Sequence, residues 1–87
     1  MKYYYIKDLS LFAKGEGHGI YFLYQNGKWV PDMNNTVSDR IMGYDPYEDD
    51  DSPYKIGNTT IMDEIEEISE EEMNRRIRKQ SDQLKSF

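Results

Sequence analysis

Asn26-Gly27 stands between Ile20-Tyr21-Phe22-Leu23-Tyr24 and Lys28-Trp29-Val30, and this arrangement constrains the fold more than any other in the chain. Both central positions of a type I′ turn need φ > 0, which Asn and Gly supply most readily, so two strand-forming runs joined by this pair predict a tight β-hairpin. A two-residue turn also fixes the register. Gln25 faces Lys28, Tyr24 faces Trp29, and Leu23 faces Val30. Side chains alternate along a strand, so Phe22, Tyr24 and Trp29 share one face while Tyr21, Leu23 and Val30 share the other. Both faces carry apolar bulk, and each needs a cover. Pro31 stops the returning strand.

An isolated hairpin is marginal in water, so further strands or a helix must pack on it. Lys2-Tyr3-Tyr4-Tyr5-Ile6-Lys7 is rich in strand formers and reads as a first strand. Asp8-Leu9-Ser10-Leu11-Phe12-Ala13 fits either a short helical turn capped by Asp8 or a continuation of that strand. Gly15, Gly17 and Gly19 then punctuate a loop. Beyond the hairpin, a short helix is predicted near 36–42. Asn35 or Thr36 caps it, Gly43 ends it in the left-handed conformation, and Val37, Ile41 and Met42 turn toward the sheet.

Ile61, Ile65 and Ile68 stand at helical spacing, yet Ser69-Glu70-Glu71-Glu72 is a capping box that starts a helix at Ser69. A last strand over 64–68, entering that helix directly, reconciles the two; a helix beginning near Thr60 is the alternative. The final helix is predicted over about 70–85. Its three leading glutamates suit the positive end of the helix dipole, and Arg75, Arg76, Arg78 and Lys79 follow toward the negative end. Glu71–Arg75 and Glu72–Arg76 are i,i+4 pairs, and Met73, Ile77 and Leu84 form a thin apolar stripe. The expected fold is therefore a small α+β domain over residues 1–80. An antiparallel sheet around the 20–31 hairpin is packed by the C-terminal helix, and residues 81–87 form a frayed tail.

Eighty-seven residues with 37% hydrophobic and 32% charged content give a marginal core, since a chain this short buries only about 60–65% of its unfolded surface. The twelve aromatic residues offset this deficit, each burying roughly 150–250 Å² when enclosed. There are no cysteines, which excludes disulfides, thiolate metal sites and cysteine nucleophiles. A small secreted domain usually needs disulfides, and Met1 to Gly17 lacks the apolar core of a signal peptide. Both features lead to the expectation of a cytoplasmic protein. No apolar run approaches the ~20 residues that span a bilayer, so no membrane partner is expected.

The net charge of −6 hides a sharp segregation. Residues 45–72 hold twelve carboxylates against one cation, Lys55, a net charge of −11. The first 44 residues carry +1 and the last 15 carry +4. Within the acidic stretch, residues 44–58 have turn chemistry throughout: Asp45-Pro46, Ser52-Pro53, Gly57-Asn58 and the run Glu48 to Asp51. They read as an extended acidic surface loop, with Tyr44, Tyr47 and Tyr54 available as anchors to the body.

Charge of this density has several uses. Five acids on one loop could take Ca²⁺. The EF-hand order of Asp, Asn and Gly is missing, however, and adjacent acids point in different directions. An acidic face could also occupy a basic groove built for DNA or RNA. Direct nucleic-acid binding needs a basic footprint that the sheet region lacks. Gly15-Glu16-Gly17-His18-Gly19 leads into a strand rather than a helix, so it is no phosphate loop. His18, the single histidine, has neither a second metal ligand nor an orienting partner. No serine sits in a nucleophile-elbow context.

No catalytic residue, cofactor or metal site is therefore expected. The leading reading is a non-enzymatic, accessory or regulatory protein-interaction module that meets a basic protein surface through Asp45, Tyr47, Glu48, Asp49, Asp50, Asp51, Glu64 and Glu67. A nucleic-acid mimic that inhibits a DNA- or RNA-binding protein is the alternative, and a Ca²⁺-binding module the lesser one.

Three segments carry a resemblance: Ile20-Tyr21-Phe22-Leu23-Tyr24-Gln25-Asn26-Gly27-Lys28-Trp29-Val30, Ser38-Asp39-Arg40-Ile41-Met42-Gly43-Tyr44-Asp45, and Ile65-Glu66-Glu67-Ile68-Ser69-Glu70-Glu71-Glu72. Through them the chain resembles small uncharacterised proteins of Gram-positive bacteria, their phages and mobile elements. The resemblance implies a bacterial cytoplasmic setting and an accessory role, and transfers no site residue.

Overall fold

A computed structural model describes residues 1–84 of the chain, with the side chains of residues 1–80. It is an α+β domain. Strands β1 (Lys2–Ile6), β2 (Leu11–Gly17), β3 (Ile20–Gln25) and β4 (Lys28–Pro31) form an antiparallel meander. Helices α1 (Thr36–Met42) and α2 (Thr59–Met62) follow, then β5 (Ile65–Ile68) and α3 (Glu70–Leu84). The fifth strand returns to pair antiparallel with β1, giving the order β4-β3-β2-β1-β5. Of the expected frayed tail at 81–87, residues 81–84 instead continue α3, because the helix does not stop at residue 80; residues 85–87 and the side chains of 81–84, Leu84 among them, lie outside the described residues.

The hairpin takes the register its turn dictates: Gln25 opposite Lys28, Tyr24 opposite Trp29, Leu23 opposite Val30. Asn26 and Gly27 have φ of 53° and 78°, as a type I′ turn requires. A second hairpin of the same kind lies just before it. His18 (φ 56°) and Gly19 (φ 76°) turn β2 into β3, with a bulge between Gly15 and Gly17.

The glycine-rich stretch is therefore a loop only at His18 and Gly19; Gly15 to Gly17, read as loop from their composition, are the end of a seven-residue strand. Gly15 is small there for a packing reason: a methyl in its place would lie 2.8 Å from the ring of Tyr21, which stacks edge-on to Tyr4. The helical alternative at residues 8–13 is likewise replaced by a turn at residues 7–10, with Ser10 at φ 53°, followed by strand.

Strand alternation places Tyr4, Ile6, Ala13, Tyr21, Leu23, Val30 and Ile65 on one face. Helix α1 covers it: Val37 is fully buried against Ile6, Ala13 and Leu23, and Ile41 packs at the margin. Each such full burial contributes on the order of 1.5–3 kcal/mol. The other face carries Tyr5, Phe12, Lys14, Phe22, Tyr24 and Trp29. Helix α3 covers its β1 side, with Met73 buried and the Arg76 guanidinium 5.5 Å from the centre of the Tyr5 ring. Over β3 and β4 the cover is Lys14, whose ammonium lies 4.6 Å from the Trp29 ring and 5.6 Å from the Phe22 ring.

One cap assignment and one ion pair need correction. Asn35 sits in the left-handed region and makes no side-chain cap. Asp32 does that work: its carboxylate accepts from the N–H groups of Asn34, Thr36 and Val37 at 3.3, 3.1 and 2.9 Å. At α3, Ser69 Oγ accepts from the Glu72 N–H at 3.1 Å, as the capping box demands. The Glu72 side chain, however, turns forward. It accepts from Arg75 and Arg76, so Arg75 pairs with Glu72 rather than Glu71. These two guanidiniums hold the Glu72 carboxyl at about 2, well below the carboxylate range. Residues 59–68 combine both readings of the sequence, a single helical turn capped by Asn58 and then β5.

Candidate functional site

The acidic loop begins where α1 stops. Gly43 adopts the left-handed conformation (φ 66°) and donates its N–H to the Arg40 carbonyl, while Tyr44 donates to the Asp39 carbonyl. This is a Schellman ending, and it throws the chain away from the helix axis. The loop then closes on its own base. The Asp45 N–H donates to the Lys55 carbonyl (2.8 Å), Gly57 to Met42 (2.8 Å) and Asn58 to Gly43 (3.0 Å). Residues 44–58 thus form a compact Ω-loop, with its ends pinned to the end of α1 and the start of α2.

Inside the loop the turns are built from its own polar groups. Asp45 Oδ1 accepts from the Tyr47 N–H at 2.9 Å, and Ser52 Oγ from the Tyr54 N–H at 3.1 Å. The centre is Lys55. Its ammonium donates to the Glu48 carbonyl at 2.8 Å, lies 4.9 Å from the Tyr44 ring centre, and is 3.6 Å from Asp50 Oδ1. The Lys55 side chain is 15% exposed and that of Asp50 98%. An ion pair with so exposed a partner is worth ~0–1 kcal/mol. A charge-assisted hydrogen bond is worth about 1.5–3 kcal/mol, so the Glu48 carbonyl is the main tether.

The residues singled out from the sequence fall into two groups. Asp45, Tyr47, Glu48, Asp49, Asp50 and Asp51 share the loop. Asp49, Asp50 and Asp51 point into solvent, Tyr47 is 97% exposed, and Asp45 and Glu48 are half-buried. Glu64 and Glu67 lie apart, on the β5 edge of the sheet. The Glu64 carbonyl accepts from the Lys7 N–H, and the Glu67 carboxylate is 3.6 Å from Lys2 Nζ. Of the three tyrosines expected as anchors, only Tyr44 is half-buried, beneath Lys55. Tyr47 and Tyr54 are exposed.

Three exposed residues at the loop base, Met42, Ile56 and Met62, escaped the sequence reading. Met42 was assigned to the sheet-facing stripe of α1, but the helix ends at that residue and its side chain is half in solvent. Only the Gly43 stop signal, placed directly after it, hinted at this.

The base is also fixed to the sheet. Arg40 grips Asp8 bidentately, Nε to Oδ1 at 3.0 Å and Nη2 to Oδ2 at 2.6 Å, and donates Nη1 to the Thr36 carbonyl at 2.9 Å. The Asp8 carboxyl is held below its ordinary value by the hydrogen bonds from Arg40. Arg40 is held fully charged by Asp8 first, with Asp39 and Glu64 adding to it.

Among the described residues, no three His, Cys, Asp or Glu side chains converge into a group that could hold a metal. A cleft of about 470 Å³ between the hairpin turn and α3 is lined by Ser10, Leu11, Phe12, Tyr24, Gln25, Asn26, Gly27, Ile77 and Gln80. Among the described residues that line it there is no carboxylate, imidazole or ammonium group. No described helix is long and apolar enough to cross a membrane. Comparison with protein families, with characterised proteins and with solved structures finds no match.

Proposed function

We propose that this chain is a small, non-enzymatic interaction module that binds a basic protein surface through the acidic loop. One observation carries the reading. Residues 36–64, from α1 to the edge of β5, hold eight carboxylates against Arg40 and Lys55, a charge of −6, whereas the remaining residues carry nine of each sign. Within that segment the loop of residues 44–58, which is braced from within, holds five of the carboxylates against Lys55, a charge of −4. Both cations of the segment are engaged, Arg40 by Asp8 and Lys55 by the loop itself. A preorganised acidic surface of this kind steers and orients a basic partner. An accessory role in a reducing cytoplasm agrees with the absence of cysteine.

The test is affinity capture from the cells that make the protein, with nuclease added, at low and high salt. The wild type is compared with a variant carrying Asp49→Asn, Asp50→Asn and Asp51→Asn. The expected result is a protein retained by the wild type at low salt, released near 1 M salt where the screening length falls to ~3 Å, and lost from the variant. Equal retention by the variant would overturn the reading. Displacement of the captured protein by duplex DNA would replace it with nucleic-acid mimicry.

A further inference from the structure

We infer that the junction where the acidic loop meets α1 and α2 is a docking surface for a cationic amphipathic segment of a protein partner. This deepens the reading above and rests on it. The junction is a single hydrogen-bonded knot. Gly57 donates to Met42, Asn58 to Gly43, and Met62 to the Asn58 carbonyl at 3.0 Å. A methyl placed on Gly43 would lie 2.8 Å from Met62 Cγ. Three large apolar side chains leave this knot for solvent: Met42 is 49% exposed, Ile56 60% and Met62 41%. Tyr47 and Tyr54 stand exposed on the attached loop.

Five of the nine exposed large hydrophobic residues in the described chain therefore belong to this one segment. Scattered apolar residues need no explanation, but Met42, Ile56 and Met62 are exposed around one hydrogen-bonded junction, which suits an interaction surface.

The charge around it selects the occupant. The segment that exposes Met42, Ile56 and Met62, residues 36–64, carries eight carboxylates against two cations, and the attached loop alone carries five against Lys55. Nucleic acid and anionic lipid are repelled by it. A second copy would bring the same charge to a two-fold contact. A segment with apolar anchors on one side and Lys or Arg on the other satisfies both properties at once, as when an amphipathic helix lays its apolar side on a hydrophobic surface. Methionine suits this role because its unbranched, polarisable side chain adapts to differing anchors.

The test compares two synthetic probes: a peptide of leucine and lysine at helical amphipathic spacing, and oligolysine with the same number of lysines. Titration calorimetry is run with the wild type and with a variant carrying Met42→Gln, Ile56→Gln and Met62→Gln. These positions are exposed, and circular dichroism verifies the fold. The amphipathic peptide is expected to bind the wild type at least about tenfold tighter than oligolysine. In the variant that advantage falls to about twofold or less, with oligolysine binding unchanged.

Equal affinities in the wild type, or an advantage that survives in the variant, would overturn the inference while leaving the electrostatic reading intact. If neither probe binds at low salt, both readings fall. Sedimentation that shows a dimer dissolved by the triple substitution would also overturn it, since a second copy would then be the occupant. Amide shifts in the wild type give a check that needs no variant. The amphipathic peptide should move Gly43, Gly57 and Asn58 more than oligolysine does, and identical shift patterns would count against the proposal.

Discussion

The ammonium of Lys55 donates a 2.8 Å hydrogen bond to the main-chain carbonyl of Glu48, seven residues earlier, across the most acidic part of the chain. The single cation of the 45–72 stretch thus acts on backbone more than on carboxylate. It bends the loop over itself and leaves Asp49, Asp50 and Asp51 outside.

Lys55→Met keeps most of the packing of the side chain on Tyr44 and removes the charged donor. The loss should stay local, because the sheet and α1 hold the core independently. Loss of a charge-assisted bond worth about 1.5–3 kcal/mol should speed amide exchange at Asp45 and Ser52 by about tenfold or more. Amides of Ala13 and Leu23 should exchange as before. Unchanged exchange at Asp45 would show that the loop closes without the lysine.

Two glycines frame the same loop and separate conformational strain from steric contact. Gly43 (φ 66°) and Gly57 (φ 78°) both adopt the left-handed region. An added methyl at Gly57 meets nothing within 4 Å, whereas at Gly43 it would lie 2.6 Å from the Asn58 nitrogen and 2.8 Å from its oxygen. Gly57→Ala should therefore cost only the conformational penalty, about 1–2 kcal/mol. Gly43→Ala adds a backbone clash that no rotamer relieves, and should cost on the order of 1–3 kcal/mol more. Urea denaturation of the two variants measures the difference; equal midpoints would mean that the loop base yields to admit the methyl.

Local chemistry was legible in the sequence wherever a short-range rule decides the outcome. The Asn26-Gly27 register, the Gly43 helix stop and the Ser69 cap all follow from residues within a few positions of one another. Where tertiary packing decides, the sequence misleads. Gly15 resembles a loop residue, yet it is required by the Tyr21 ring that lies over it in the folded sheet. Asn35 is the conventional cap, but it takes the left-handed turn position, and Asp32 reaches across three residues to the helix N-terminus. At the candidate site, composition revealed the acidic loop but not its closure. The long-range pairings of Met42 with Gly57 and Gly43 with Asn58 carry no sequence signature. The exposed Met42, Ile56 and Met62 were hidden for the same reason, since apolar residues at these spacings usually read as core.

The Asp8–Arg40 pair makes a pH-dependent link between the β1–β2 turn and the helix that carries the loop. The Asp8 carboxyl has a folded value below its unfolded one of about 3.9. Its contribution to stability is therefore fully present above that unfolded value, and is lost as pH falls through the folded value. Arg40 stays charged throughout, so only the carboxylate titrates. The Asp8 side chain is 37% exposed and Arg40 19%, which screens the pair. Its bidentate geometry puts it near the upper end of the ~0–1 kcal/mol range for such contacts.

Arg40→Met should lower stability by a constant amount between pH 7 and about 5, and that deficit should shrink below about pH 4 as Asp8 protonates in the wild type. A residual deficit should persist at low pH, because Arg40 also donates to the Thr36 carbonyl, a bond that does not titrate. Glu72 also titrates in acid, but it is common to both proteins and cancels in the comparison. Urea denaturation of both proteins from pH 7 to pH 2.5 gives the difference directly, and a deficit that stays constant across the range would mean that Arg40 stabilises α1 only through its own helix.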